Sequence, residues 1–376
     1  MKRLVLLGGG HAHVKVLAEL AAQPLPGWEV HLVSPYRRQI YSGMLPGWIA
    51  GHYPITACAI ALDEMAERAN VIFHETSGVA LNLLANQVSC ADGSTLHFDL
   101  LSIDTGPLAA LDQLPGCAQH ALAIRPMEEF IAHWPDLTKR IAQHQGRFDL
   151  AILGAGVAGL ELAFAVQHQA DVRNGSRLCV TLVGAQALAM PGMPLRLRRR
   201  AMLLLEQRGI QWHGSRRAVR VEPGAVAFET GPALAFDACL VVTGAAAPAW
   251  AAASGLATDE HGFIRVGPTL QSLSHPQVLA AGDVACYHVA RPKSGVYAVR
   301  AGPVLANNLR ALCLGHKPTD WTPQRRALYL ISTGNRHALG AWGRWSFAGR
   351  WVWIWKDRID RAFMSRFASA RIQRPN

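Results

Sequence analysis

The residues of this chain whose spacing points most directly to chemistry are glycines. Gly8-Gly9-Gly10 ends an apolar run, Val5–Leu7, and a helical pattern carrying Val14, Leu17 and Leu20 begins at once. A strand, a glycine turn and a helix in that order open a dinucleotide-binding βαβ unit. The glycines let the chain turn tightly and let the backbone approach a pyrophosphate, which the amides at the helix N-terminus then hold. The motif reads G-x-G-x-x-H, with His13 where a third glycine usually allows close helix–strand packing. His11 and His13 could instead pair on a metal. No Cys, Asp or Glu cluster accompanies them at ligand spacing, so no metal site is assigned.

The same pattern restarts later in the chain. Phe148–Leu153 reads as a strand, and Gly154-Ala-Gly-Val-Ala-Gly159 completes G-x-G-x-x-G before a helix that carries Glu161. Two such units, about 146 residues apart, act as an internal repeat and are far more specific together than either is alone. Each second strand lacks the acid that normally binds an adenosine ribose. Ser34-Pro35 closes Trp28–Val33, and Gly184-Ala-Gln186 closes Leu178–Val183.

The surrounding elements follow from pattern. Tyr41–Gly47 reads as a Gly/Pro turn over a ligand. Residues 55–69 look helical, and 71–73, 78–83 and 87–90 read as short strands, with a hairpin turn at Asp92-Gly93. Leu100–Gly106 is a buried strand ending in Thr105-Gly106. A helix opens at Arg125-Pro126 and runs to about Gln143, and Met202–Arg208 is helical. Strands at 225–229 and 238–243 precede Gly244. Val278–Asp283 is a buried strand ending in Gly282-Asp283, and a helix spans about Val296 to Leu314.

Composition narrows the class. At 376 residues, with half of them hydrophobic and 17% charged, the chain is globular and has room for two or three domains. The N-terminal Lys2-Arg3 and following leucines imitate a signal peptide. The apolar run is too short for one, and no stretch reaches transmembrane length, so the expectation is a cytoplasmic protein. Seven cysteines, none in a C-x-x-C or C-x4-C pair, argue against a disulfide framework. Of the net charge of +11, +7 lies from Arg336 onward, where nine Lys/Arg face two Asp, and five of the eleven tryptophans are there too.

Two glycine motifs and a late Ala280-Ala-Gly-Asp283 resemble the two-dinucleotide flavoproteins of the pyridine nucleotide–disulfide oxidoreductase superfamily. Within it, GGGHAHVKVL, YSGMLPGWIAGHY, RPKSGVYAVRAGPVLANNL and WIWKDRIDRAFM are most similar to the FAD-dependent module fused to some selenophosphate synthetases, a relative of type II NADH:quinone oxidoreductases. The resemblance implies an α/β fold of two Rossmann-like domains. The FAD domain would be discontinuous, residues 1–112 and 262–335, with an NAD(P)H domain at 113–261 and a basic, Trp-rich segment at 336–376. It assigns FAD to Gly8, Gly10, His11, Ala12, Ser34, Pro35, Tyr41, Met44, Leu45, Thr105, Gly106, Gly282, Asp283, Val296 and Tyr297. It assigns NAD(P)H to Gly154, Gly156, Val157, Gly159, Glu161, Gly184 and Gly244. Glu161, near the nicotinamide, and Lys293, as a cation near the flavin, are the catalytic candidates.

The implied function is NAD(P)H oxidation through FAD to an acceptor. A disulfide reductase needs paired cysteines against the flavin, and none exists in sequence. A sulfide:quinone-type pair would have to be Cys117 with Cys313. The glutamines that type II dehydrogenases place beside the quinone are missing around Val296–Arg300, so a quinone is an inference from kinship. In the C-terminal segment Trp351, Trp355, Ile359, Phe363 and Phe367 recur at four-residue spacing. That row predicts either packing on the flavin domain or an interfacial helix on the inner face of a membrane. Nucleic-acid binding is the weaker alternative. The rival functions are a soluble reductase of selenium or sulfur metabolism, with a selenophosphate synthetase as partner, and a flavin sensor that no longer turns over nucleotide.

Overall fold

The computed structural model describes residues 1–174, 177–242 and 244–368. The expected strand end at Thr243 and the last residues of the basic segment, 369–376, lie outside them.

Leu4–Leu7 is apolar on both faces and fully buried, as a central strand covered on both sides requires. Lys2–Leu7 pairs in parallel with Trp28–Val33 on one side and Leu100–Ile103 on the other. Ile72–His74 and Val278–Ala280 complete a five-stranded parallel sheet. The crossover helix His11–Ala22 buries Val14, Leu17 and Leu20. It lies tightly on the helix Gly295–Cys313, where a side chain at Gly302 would meet the Ala12 Cα and Lys15.

The second half repeats the first. Phe148–Leu153 sits between Leu178–Val183 and Ala238–Val241, with Gln211–His213 and Leu122–Ala123 at the edges, all parallel. Each half also carries a three-stranded antiparallel sheet, Gly78–Asn82/Gln87–Cys90/Thr95–His97 and Ala218–Glu222/Ala225–Phe228/Leu234–Ala235. The register slips at the same place in both, between Gly78 and Ala80 and between Ala218 and Arg220. The repeat legible in the glycines is thus a duplication of the whole unit.

Several elements depart from expectation. Residues 55–69 are not one helix: Ile55–Cys58 is a 3₁₀ turn, Ala59–Ala61 pairs with Arg38–Ile40, and only Leu62–Arg68 is α-helical. Alanine favours helix, so the strand forms here only because Arg38–Ile40 is there to pair with Ala59–Ala61. The helix expected at Met202–Arg208 begins at Leu195, just after Pro194. Cys117 and Cys313 do not meet. Cys117 packs with Cys239 in the second half, whereas Cys313 ends a helix of the first half, where its carbonyl accepts the Trp28 indole N–H.

The C-terminal segment starts inside a sheet. Leu328–Ser332, Ala338–Trp342 and Trp345–Gly349 form an antiparallel meander, followed by a helix over Arg350–Ser365. The expected apolar row divides: Phe363 and Phe367 pack on the core of the first half, whereas its N-terminal part is not the inward face. Val352, Lys356 and Asp360 are buried, while Trp351, Ile354, Trp355 and Ile359 stay exposed. The reason is that the body of the protein offers polar partners to Lys356 and Asp360, whereas the Trp351 side meets solvent.

Candidate active site

The first glycine turn wraps around a carboxylate that the sequence did not single out. Gly8 takes φ +98°, and a side chain there would collide with the backbone of Asp104 and Thr105. One at Gly10 would collide with the Asp104 carboxyl, as would one at Gly282, which takes φ +71°. Asp104 Oδ2 accepts the amides of Ala12 at 2.7 Å and His13 at 3.0 Å, so it caps the first helix from another strand. Burial pushes its carboxyl up to about 7, against those two amides, which pull it down. His13 explains its place in the motif: Nδ1 meets the Gly8 carbonyl at 2.6 Å and Nε2 the Ser102 hydroxyl at 2.8 Å. Burial lowers its pKa to about 4, so the ring is neutral and serves as a spacer tying the turn to the neighbouring strand.

These surroundings fit a dinucleotide. Glycines crowd the approach to a helix N-terminus, and His11 Nε2 is shielded from water without a partner. Asp283 is mostly covered, with Arg125 3.8 Å away, and its carboxyl is raised by burial. Ser34 spends its hydroxyl on the Tyr36 carbonyl at 3.0 Å, beside the exposed Pro35. Thr105 is exposed and Gly106 lies next to it at φ +73°. Met44 and Leu45 are buried, as is Tyr297, while Val296 is half-buried at the start of its helix. The Lys293 ammonium donates to the Ala285 carbonyl at 2.7 Å and lies 3.7 Å above the Phe263 ring, and its charge pulls the Asp283 carboxyl down.

The second glycine turn is more open. Gly154 takes φ +112°, and a side chain at Gly159 would run into the Gly154 carbonyl. Gly156 faces free space, so the loop before Val157 leaves room for a pyrophosphate. Gly184 lacks a side chain because Trp212 and Ala155 fill that volume. Gly244 is exposed with open space around it.

The halves meet in a buried cluster of ionisable groups. Lys356 Nζ donates to Asp360 Oδ2 at 2.6 Å and to the Gly43 carbonyl at 2.5 Å. Asp360 Oδ1 accepts the Tyr41 hydroxyl at 3.2 Å. Tyr41 stacks on Phe363 with ring centres 4.6 Å apart, and His11 packs edge-on against Tyr41 at 5.5 Å. One turn along, Asp357 accepts the Tyr53 hydroxyl at 2.9 Å. Glu161 reaches the cluster from the second half, accepting the Ser332 amide at 2.7 Å.

Burial pushes Glu161 up to about 7, opposed by the nearby Lys356 charge and the Ser332 amide. Burial also works against the Lys356 ammonium, yet Asp360 and Glu161 hold it above the usual lysine value. With Glu161 neutral the cluster is a balanced ion pair; with Glu161 ionised it carries one excess buried negative charge. The ionisation of Glu161 is therefore coupled to the charge of the Lys356–Asp360 pair.

Sequence reasoning named Tyr41 and Glu161 and missed Asp104, Lys356 and Asp360. Asp104 had a usable signal, a carboxylate ending a buried strand in Leu-Leu-Ser-Ile-Asp-Thr-Gly. Lys356 and Asp360 had only their four-residue spacing, which a solvated helix face shows equally well. Among the described residues no group of His, Cys, Asp and Glu could hold a metal ion.

Ferroptosis suppressor protein 1 of Taeniopygia guttata is 24% identical over 90% of this chain and 88% of its own. The demethylphylloquinone reductase NdbB of Synechocystis is 25% identical over 55% of this chain and 52% of that protein. NDH2 of Plasmodium falciparum, solved in complex with NADH, shares the fold with a TM-score of 0.80 at 11% identity, covering 97% of both chains. Because the pyridine nucleotide-disulphide oxidoreductase family matches residues 2–302, the chain belongs to that family and is an NAD(P)H-dependent FAD oxidoreductase.

Proposed function

We propose that this enzyme passes electrons from NAD(P)H through FAD to a quinone at a membrane surface. The observation that carries the reading is the Lys356–Asp360–Tyr41–Glu161 cluster beside His11, on a helix whose opposite face exposes Trp351, Ile354, Trp355 and Ile359. When bound, FAD takes up hydride and releases electrons.

The chain's own residues bind, orient and hold protons. The loop Gly154–Gly159 and the following helix N-terminus receive the NAD(P)H pyrophosphate, which delivers the nicotinamide toward Glu161. Gly8, Gly10, the first helix and Asp283 would hold the flavin dinucleotide. Lys356 keeps a donor proton at Nζ, and Asp360 and the Gly43 carbonyl fix its direction. A quinone oxygen that gains electrons needs such a donor, and the Tyr41 hydroxyl, bonded to the same Asp360, is a second. The exposed aromatics, flanked by Arg350 and Arg358, suit the headgroup zone of an anionic bilayer. Among the described residues no helix is long and apolar enough to cross a membrane, so attachment would be at the surface, on the inner face. A quinone reductase among the relatives supports the acceptor class.

The deciding experiment is an anaerobic absorbance titration with NADH, then NADPH, then a short-chain quinone. Bleaching of the flavin band that quinone reverses supports the proposal and gives the nicotinamide preference. Bleaching that quinone leaves unchanged refutes the acceptor and favours a reductase of selenium or sulfur metabolism, to be tested next with selenophosphate synthetase as partner. A flavin that neither nucleotide bleaches leaves only a redox sensor.

A further inference from the structure

We infer that Asp104 is a proton-accepting gate of the FAD seat, so that FAD capture above neutral pH takes up one proton at this side chain. The inference rests on FAD being the dinucleotide of the first half. The geometry already contains the conflict it resolves. The N-terminus of the first helix is where a pyrophosphate is held, yet the Ala12 and His13 amides are already bonded to Asp104 Oδ2. The same carboxyl lies against Gly10 on one side and Gly282 on the other, both glycines that a side chain would drive into it. It stands between the two segments that must close on the phosphates.

An ionised carboxylate there repels the phosphates and competes for their amides. A neutral carboxyl does not repel them, and it offers a donor in place of the amides it still occupies. It keeps an acceptor oxygen for Ala12 and His13 and gains an O–H that it can donate to a phosphate oxygen. No bond other than this O–H forms, and the proton comes from solvent.

The groups facing Asp104 do not offset its charge. From the first helix come His13, neutral because burial lowers it to about 4, and neighbouring His11, lowered likewise. From the turn after Ala280 comes Asp283, whose charge raises Asp104 further. From the strand Ala285–Tyr287 comes Tyr287, whose hydroxyl bonds the Gly282 amide at 3.0 Å and is itself raised by burial. Among the described residues no Lys or Arg pairs with Asp104. An anionic ligand at the same helix end then moves the carboxyl up again from its starting value near 7.

The test is release of FAD from the diluted holoprotein, read as recovered flavin fluorescence between pH 6 and pH 8.5. Proton linkage predicts a dissociation constant flat below about pH 6.5 and rising about tenfold per pH unit above about 7.5. Asp104→Asn keeps the amide acceptor and cannot ionise. It should release FAD with no slope in this range and bind about tenfold tighter than the parent at pH 8. A parent with no slope, or an Asp104→Asn protein that keeps it, overturns the inference while leaving FAD as the cofactor. If Asp104→Asn does not fold, calorimetry of FAD rebinding to the parent in two buffers of different ionisation heat counts the proton directly. A count near one at pH 8 supports the gate and zero refutes it. A protein that carries no FAD at any pH removes the cofactor assignment itself.

Discussion

Replacing Lys356 by methionine tests whether the C-terminal helix is held by its buried charges. Methionine keeps the length and apolar stem of lysine but removes the partner of Asp360 and the donor to the Gly43 carbonyl. Asp360, only 5% exposed, is then left with the Tyr41 hydroxyl and with Glu161 nearby. Breaking a buried pair by removing one partner costs about 3–5 kcal/mol, because the remaining charge stays desolvated. The unfolding entropy of 376 residues is roughly 0.8 kcal/mol per kelvin at about 2.1 cal/mol/K per residue, so the melting temperature should fall by about 4–6 °C. Adding Asp360→Leu should return most of that loss, since an apolar pair of similar volume is often as stable as the ion pair it replaces. Calorimetric scans of the parent, both single variants and the double variant form a complete cycle. Losses that simply add, or a Lys356→Met protein that melts with the parent, would refute the coupling. Quinone reoxidation measured on the same four proteins separates the roles, because a purely structural pair would give the double variant parental rates.

Glu161→Gln should flatten the pH dependence of stability near neutrality. The Glu161 carboxyl rises from 4.5 to about 7 on folding; the stability this lends is fully present below pH 4.5 and is lost as pH rises through 7. The variant's melting temperature should therefore gain on the parent between pH 5 and pH 8, and a constant difference would contradict the burial of that charge. Gly159→Ala drives a methyl into the Gly154 carbonyl. At about 1–3 kcal/mol of overpacking it should weaken NAD(P)H binding about tenfold or more while FAD stays bound, as stopped-flow reduction at several nucleotide concentrations would show. Trp351→Ser with Trp355→Ser removes two side chains that are 56% and 40% exposed. Sedimentation with phosphatidylglycerol vesicles should fall at least tenfold on the scale of a few kcal/mol for two aromatic anchors, with the melting temperature little changed; equal sedimentation would point away from the bilayer.

Much of the fold was legible because its signals are local. A buried strand, a turn needing positive φ and a helix with apolar spacing must be adjacent in sequence, so Lys2–Leu7 with His11–Ala22 and Phe148–Leu153 with Val157–Asn174 could be read directly. The misread elements lacked such a signal. Ala59–Ala61 became a strand because Arg38–Ile40 lay open to pair with it, and His13 replaced a glycine because Ser102, 89 residues away, offered it a partner. The row Trp351–Phe367 left packing and membrane contact open, and the structure divides it: Phe363 and Phe367 pack inward, while Lys356 and Asp360 take the buried place beside the exposed Trp351, Trp355 and Ile359. Only the position of Tyr41, Gly43 and Glu161 shows which row is buried.

The amino-acid sequence by itself determined two dinucleotide turns, their duplication, the absence of a paired-cysteine redox motif and the accumulation of positive charge and tryptophan after Arg336. Each follows from residue type and short spacing, which tertiary contacts cannot alter. Tertiary structure alone decided that Asp104 caps a helix 91 residues before it. It also decided that Lys356 and Asp360 turn inward onto a loop more than 300 residues away, and that Glu161 keeps a proton near neutral pH. Those outcomes depend on which polar partners and how little water surround a side chain, and both are set when distant segments pack.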